Sequence, residues 1–476
     1  GRAFAVTSPL VTGLRNMRPL GLALLALALM ASPASAAVID IEEHFCGCDP
    51  SSGDEDTRLI VVTAAPGERN VVTVERTRRG IVIRDAGAPL SGRCRLTRSG
   101  DGRFCGGDFD GVDVLLGDGD DTLTHGVGGS VEGGPGDDSI HATGGNYQLS
   151  GGPGADLLDA TGSAGASVSY ADHTEGVTVR LNGLADDGAV GEGDNVLGAV
   201  TGISGGGGDD RLEAGPTASG LFGAGGNDVL VGSPQGDTID GGEGNDGLSG
   251  GDGNDHLTGG AGTDDLSGGA GRDEASYAGG TDPLRLSIGD GPNDGAAGEG
   301  DNIREDIEDL AGGSAGDVLI GDAGANRLIA FGGEDVLRGG AGPDELLGWG
   351  DGDELDAGSG RDRVQAGSLD RPLLRDGEAD RLNCRRHAPA IEADPIDVLS
   401  TCAPNVAVRA RSRVRSGSRV ALVARCPEES TVPCQGCFYE VKGTSARRLK
   451  RSRERWRLRA RRASRLVLPS RMRRSR

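Results

Sequence analysis

The sequence predicts an all-β protein in which short strands stack as parallel coils over a thin leucine core. The first of three observations behind this is a nonapeptide that recurs in phase. From Gly241 to Ser267 it reads GGEGNDGLS, GGDGNDHLT, GGAGTDDLS, with Gly at positions one, two and four, Asp at six and Leu at eight. A short fixed period of this kind marks an array of stacked, near-identical units. The second observation is composition: 476 residues hold 87 glycines but only 3% aromatic residues, which argues against a conventional large core. The third is the x-Leu-x triplet ending each unit, which is long enough for one short strand with its leucine turned inward.

The elements follow in order. Residues 1–16 precede the first Met and fit no region of a signal peptide, so translation is expected to start at Met17. Residues 17–36 read MRPLGLALLALALMASPASA, a basic residue, an apolar run and small residues before Ala36, which is the anatomy of a secretory signal. The apolar run is too short for a spanning helix, and nothing later replaces it. Residues 37–110 contain the β-branched runs RLIVVTA, NVVTVER and GIVIRDA between turn residues, which predict a small antiparallel β module.

The period of nine begins with LGDGDDTLT at Leu116, inside a first block at 111–168. A second block, 205–276, runs for eight nonamers without insertion, and a third, 312–365, holds six. Two inserts, 169–204 and 277–311, separate them. SYADHTEGVTVRLNGLADDGAVGEGDN at Ser169 aligns without gaps on SYAGGTDPLRLSIGDGPNDGAAGEGDN at Ser276, so insert and array have been duplicated together, and each insert offers an extra strand such as VTVRL. Past Gln365 the phase decays into a cap at 366–402, bracketed by Cys384 and Cys402, and 403–476 is an Arg-rich C-terminal region.

Charge divides the chain in two. Asn405 to Arg476 holds 22 basic against 4 acidic residues, and the rest holds 27 against 69, so a formal net charge of −24 hides an acidic body and a basic tail. Such a body repels nucleic acid and anionic membranes and attracts cations, whereas the tail suits cell-wall or other extracellular polyanions. Nine cysteines agree with an oxidising destination. Cys94 with Cys105 and Cys384 with Cys402 enclose short loops that read as local clips, while the pairing of Cys46, Cys48, Cys426, Cys434 and Cys437 stays open.

One leucine per nine residues does not offset the conformational entropy of ordering a glycine-rich chain. The glycines permit left-handed turns in which carbonyl oxygens converge, and the Asp at position six sets an anionic oxygen beside them. An oxygen-only donor set without sulfur or imidazole suits a hard cation, and a flexible turn offering about six oxygens favours Ca2+ over Mg2+.

The unit GGxGxDxUx resembles the hemolysin-type calcium-binding repeat, the RTX nonapeptide, and the inserts and cap are similar to those of secreted RTX-repeat proteins from high-GC bacteria. The resemblance implies a parallel β-roll whose Ca2+ ions are shared between turns of successive coils. By position, the carboxylates it implies are Asp138 and Asp156 in the first block, then Asp210, Asp228, Asp237, Asp246, Asp255, Asp264 and Asp273 in the second. In the third they are Asp317, Asp335, Asp344, Asp353 and Asp362. Tyr147, Ser219 and Asn326 hold the same position in degenerate units, where weaker or missing sites are expected. The N-terminal signal and basic tail depart from the toxins of the family, which are exported by a C-terminal signal.

No enzyme constellation emerges. GISGG at Gly202 and GLSGG at Gly247 satisfy G-x-S-x-G, but both arise at nonamer junctions. None of the six histidines belongs to an HExxH pair, and His125, His141 and His256 are expected at outward or turn positions. The leading expectation is therefore a secreted calcium-binding repeat protein with a structural or interaction role at or outside the cell surface. The alternative is a secreted hydrolase or cytotoxin with its effector segment in 40–110 or the C-terminal region.

Overall fold

The computed structural model describes residues 37–44 and 57–384, apart from 65, 66, 68, 88, 108, 217–219, 351, 368 and 375. It also describes 392–393, 397–400, 420–425 and 439–441. The predicted signal peptide, Cys402 and the basic run after Val441 lie outside these residues.

Eighteen residues, two nonapeptides, make one coil. Leu221 pairs with Ile239 and Ile239 with Leu257 on one face of the roll, while Leu212, Leu230, Leu248 and Leu266 pair in turn on the other. Alternate nonamers therefore feed opposite sheets, and every strand runs parallel to the one stacked on it. Leu212, Leu221, Leu230, Ile239, Leu257 and Leu266 are fully buried between the sheets, as are Leu310, Leu319, Leu328, Leu337, Leu346 and Leu355 in the following coils. In strands such as Arg211–Glu213 and Val318–Ile320 the residues on either side of the leucine point outward, the period-2 alternation that a strand of three residues allows.

One sheet is continuous and the other is broken. Among the described residues, a 20-stranded sheet runs the length of the roll, whereas the opposite face is divided into sheets of eight, seven and seven strands. The breaks coincide with the two inserts. In the first insert, Asn195–Gly198 lies back on Leu157–Gly162 and ends one sheet, while Val177–Arg180 pairs forward with Arg211–Glu213 and starts the next. The second insert repeats the arrangement with Asn302–Ile303 on Asp265–Gly271 and Leu284–Ser287 on Val318–Ile320. The long sheet passes both inserts without a break, through Val168 on Ile203 and Ala275 on Leu310.

The N-terminal strands form antiparallel pairs, Ala37–His44 with Thr57–Thr63 and Val71–Thr77 with Gly80–Asp85. They are also joined to the roll. Thr57–Thr63 lies parallel to Gly111–Leu115 in the long sheet, and Val71–Thr77 lies parallel to Thr122–His125 in the first short one. One hydrophobic core consequently runs from Ile39 to Leu382. A solenoid end presents two unpaired strand edges, and these β-branched segments cover both. Cys94 and Cys105 are joined in a disulfide within this region. At the other end, Val398–Ser400 stacks on Arg381–Cys384, and Val420–Arg425 and Tyr439–Val441 extend the long sheet.

Truncating Leu257, which is fully buried, to alanine should destabilise the roll by about 2–5 kcal/mol in urea unfolding followed by circular dichroism. Val190→Ala, at a fully exposed position in an insert, should change it by no more than about 0.5 kcal/mol. Equal losses would contradict a core that rests on the inward residue of each strand.

Candidate metal centre

The fourteen aspartates at position six, Asp138 through Asp362, are all buried, none more than 3% exposed. An ionised carboxylate is rarely buried unless it is paired. Here the first partner is the backbone of the preceding coil. Within the arrays the N–H of one Asp donates to Oδ1 of the Asp eighteen residues later, as from Asp138 to Asp156, Asp210 to Asp228, Asp228 to Asp246, Asp246 to Asp264, Asp255 to Asp273 and Asp344 to Asp362, while at the second insert Asp273 donates to the Glu308 carboxylate instead. Donor–acceptor distances in these six bonds are 2.7–2.9 Å. One ladder runs along each edge of the roll, because alternate nonamers turn at alternate edges.

The second carboxylate oxygen divides the turns into two kinds. Among the described residues, no hydrogen-bond partner reaches the buried Oδ2 of Asp138, Asp156, Asp228, Asp246, Asp255, Asp264, Asp273, Asp335, Asp344 or Asp362. In each of these turns position two has a left-handed backbone: Gly134, Gly152, Ala224, Gly242, Gly251, Gly260, Gly269, Phe331, Gly340 and Gly358 have φ between 63° and 108°. In the other kind, position two lies outside that region and its N–H closes on the carboxylate. Gly206 donates to Asp210 at 2.7 Å, Ser233 to Asp237 at 2.6 Å and Gly313 to Asp317 at 2.7 Å. Asp353 continues its ladder to Asp370 from a turn with Trp349 at position two.

Open turns converge on oxygen. A Cβ placed on Gly250, at position one, would overlap Oδ2 of Asp255 and stand 2.6 Å from the carbonyl oxygen of Gly268. At position four, Gly244, Gly253, Gly262 and Gly271 all have φ between 131° and 158°, and a Cβ on Gly262 would overlap the carbonyl oxygen of Gly244 one coil earlier. The glycines thus keep a space lined by carboxylate and carbonyl oxygen, a donor set that fits a hard cation.

Degenerate units place a protein donor at position six. The Tyr147 hydroxyl donates to the carbonyls of His125 and Thr143, and the Asn326 side-chain amide donates to the carbonyl of Glu308. Ser219 lies outside the described residues.

Burial, opposed by the ladder N–H and reinforced by neighbouring carboxylates, raises the carboxyls of Asp138, Asp228, Asp264, Asp335 and Asp344 from 3.8 to about 7. Asp156 is raised to about 8, and Asp255 and Asp362 to about 6. Burial also raises Asp210, Asp246, Asp273 and Asp317.

Several members of the ladders escape the sequence reading. Asp121, at position six of LGDGDDTLT, is buried and takes Oδ1 bonds from the N–H groups of Asn70 and from its side-chain amide. The inserts supply Asp194 and Asp301, whose Oδ1 atoms accept from Asp156 and Asp264 as a position-six Asp would. Their Oδ2 atoms are taken by the hydroxyls of Tyr170 at 3.1 Å and Tyr277 at 2.8 Å. The signal was present: both residues of each pair lie in the SYA and GEGDN segments that the two inserts share. Beyond Gln365 the ladder carries on through Asp380 and Asp397 although the sequence phase has decayed.

His125 departs from expectation. It shares the inward face of Thr122–His125 with Leu123, is fully buried, and its Nε2 lies 2.9 Å from the carbonyl oxygen of Val112. Burial lowers its pKa to about 4, so the ring is neutral. His141 and His256 are half-exposed beside Asp159 and Glu274. The two G-x-S-x-G serines, Ser204 and Ser249, lie within strands.

Two parallel sheets closed by buried aspartate ladders define a parallel β-roll built from nonapeptide coils. The family model for the RTX calcium-binding nonapeptide repeat matches residues 132–164, 203–217, 222–255, 248–275, 311–346 and 329–364. These segments are RTX repeats. The matched segments leave out most of both inserts and stop at residue 364. No curated protein matches the chain.

Gly262→Ala, with φ of 139° and no room for a Cβ, should lower the melting temperature sharply. Gly225→Ala, whose Cβ would meet its nearest atom at 4.0 Å, should stay within about 1 kcal/mol of wild type. Equal melting temperatures for the two variants would contradict the cradle.

Proposed function

We propose that this is a secreted calcium-binding protein whose arrays fold as Ca2+ enters the open turns, and that the folded rod serves a structural or interaction role at or outside the cell surface. The observation that carries the reading is that ten turns combine a left-handed position two with a buried Oδ2 that lacks a hydrogen-bond donor. A buried, unsatisfied carboxylate costs several kcal/mol, and a dication placed against these oxygens removes that cost. Asp138, Asp156, Asp228, Asp246, Asp255, Asp264, Asp273, Asp335, Asp344 and Asp362 would hold the ions, with carbonyls such as that of Gly268. Asp210, Asp237 and Asp317 would act as closed turns in which a backbone N–H takes the place of an ion.

Secretion is supported by the signal-like segment at 17–36 and by the cysteine content. Among the described residues, no helix is long and apolar enough to cross a membrane. An extracellular setting also supplies Ca2+ near 1 mM, the range of weak extracellular modules. The basic tail, most of it outside the described residues, would meet extracellular polyanions.

Far-UV circular dichroism of the full chain should show little strand in EGTA and a cooperative gain of strand as Ca2+ rises. No change up to about 10 mM would sink the reading, given an expected range reaching ~1 mM. Asp255→Asn should weaken binding by roughly tenfold, about 1.4 kcal/mol, whereas Asp237→Asn should leave the Ca2+ stoichiometry unchanged.

A pH dependence follows from carboxyls that titrate near 7 when folded and near 3.8 when unfolded. The folded chain takes up these protons first, so metal-free stability rises as pH falls from about 8 towards 4 and levels off below that. Ca2+ competes for the same oxygens, so its affinity should rise from about pH 6 to about pH 8 with release of protons. Calorimetric titration at pH 7 in two buffers of different ionisation enthalpy measures that release, and buffer-independent heats would count against it.

A further inference from the structure

We propose that Asp362, Asp376 and Asp380 form a three-carboxylate calcium site that closes the C-terminal end of the third array and binds more tightly than the turns within it. The proposal rests on the calcium-binding reading but concerns residues that the repeat does not supply. Asp376 and Asp380 lie past the last matched segment, which stops at 364, and Asp376 stands four residues before Asp380, at the position where an open turn has a left-handed residue.

One carboxylate oxygen from each of the three residues lies within 4.8 Å of the others. Ca2+ binds oxygen at about 2.3–2.6 Å, so two oxygens on one ion stand at most about 5 Å apart and the trio is within reach of a single ion. Among the described residues, no other three His, Cys, Asp or Glu side chains come together in this way.

Two of the three are built into the roll. Asp362 and Asp380 are no more than 1% exposed, and Asp362 donates its N–H to Oδ1 of Asp380 at 3.0 Å. Among the described residues, the buried Oδ2 of each has no hydrogen-bond partner. Asp376 comes from the turn above and is held in place by backbone, its Oδ2 accepting from the N–H of Gly360 at 2.8 Å and its Oδ1 from that of Glu378 at 2.7 Å. The third carboxylate is therefore positioned before an ion arrives.

Charge count tunes the affinity of oxygen sites for Ca2+. An open turn in the array offers its own aspartate, an adjoining carboxylate of the ladder and neutral carbonyls, whereas this trio offers three anionic groups to one ion. It should fill first. Its ligands come from the coil carrying Arg363–Ala366 and the coil stacked on it, Arg381–Cys384, so filling ties the layer of Val364 to that of Leu382.

Ca2+ titration of the full chain by isothermal titration calorimetry, with circular dichroism alongside, tests the site. Wild type should show one tight Ca2+ per chain ahead of the array sites. Asp376→Asn should weaken that class at least tenfold while the strand signal at saturating Ca2+ persists, and Glu378→Gln, outside the trio, should leave it intact. An unchanged tight class in Asp376→Asn, or equal weakening by both substitutions, would overturn the proposal. A wild-type measurement guards against a variant that fails to fold. Tb3+, matching a charge of three, should displace the single tight Ca2+ at one equivalent, and Tb3+ spread evenly over many sites would overturn the assignment. Failure of wild type to bind any Ca2+ would instead refute the calcium-binding reading itself and this site with it.

Discussion

The bond from a position-six amide to Oδ1 of the aspartate one coil later, repeated along both edges, is what the rest of the roll depends on. It links successive coils at intervals of eighteen residues, and in doing so it draws a carboxylate out of water at every turn. One oxygen is then satisfied by backbone and the other faces a space bounded by glycine carbonyls. Two demands follow from that single contact. The backbone must turn through conformations that side chains resist, and something positive must meet the second oxygen.

The chain meets the second demand in three ways. Open turns leave the oxygen to a cation. Closed turns at Asp210, Asp237 and Asp317 rotate position two so that its N–H points inward. The inserts bring a tyrosine hydroxyl to Asp194 and Asp301. Holding position two left-handed is costly for any residue but glycine, roughly 1–2 kcal/mol, yet Ala224 and Phe331 do so beside Asp228 and Asp335. Phe331 also packs edge-on against Trp349, with ring centroids 5.4 Å apart, a contact that helps to offset the strain. Most protein donors occur where the array begins or is interrupted: Asp210 and Asp317 open their blocks and Asp194 and Asp301 close sheets, whereas Asp237 is closed within the second block. An insert thus ends one ladder and one sheet with hydrogen bonds of its own, and the continuous sheet on the other face keeps the rod in one piece.

The repeat was legible because its demands are local. Leucine at every eighth position of nine, glycine where φ is positive and aspartate before each strand are all conditions on a single turn. What escaped involves partners far apart in sequence. Asp194 continues the ladder of Asp156 across a separation of 38 residues, and Asp380 extends that of Asp362 from a turn with no glycine at positions one, two or four. His125 reads as an outward residue of a repeat, but its strand runs beside Val71–Thr77, and the polar ring is buried against the Val112 carbonyl. Nor does composition separate an open turn from a closed one: Gly206 and Gly242 are the same residue at the same position with opposite consequences for the aspartate that follows.

By itself the sequence determined the period, the inward leucines, the aspartate at the head of each strand and the oxygen-only chemistry, since each is set by side-chain type within nine residues. The tertiary structure decided that two nonamers make a coil, that the inserts break one sheet and spare the other, and which carboxylate oxygens lack a donor. The physical reason is that an oxygen buried in one coil is satisfied or left open by backbone placed within its own turn and by the coils stacked against it, and that placement is fixed only when the coils stack.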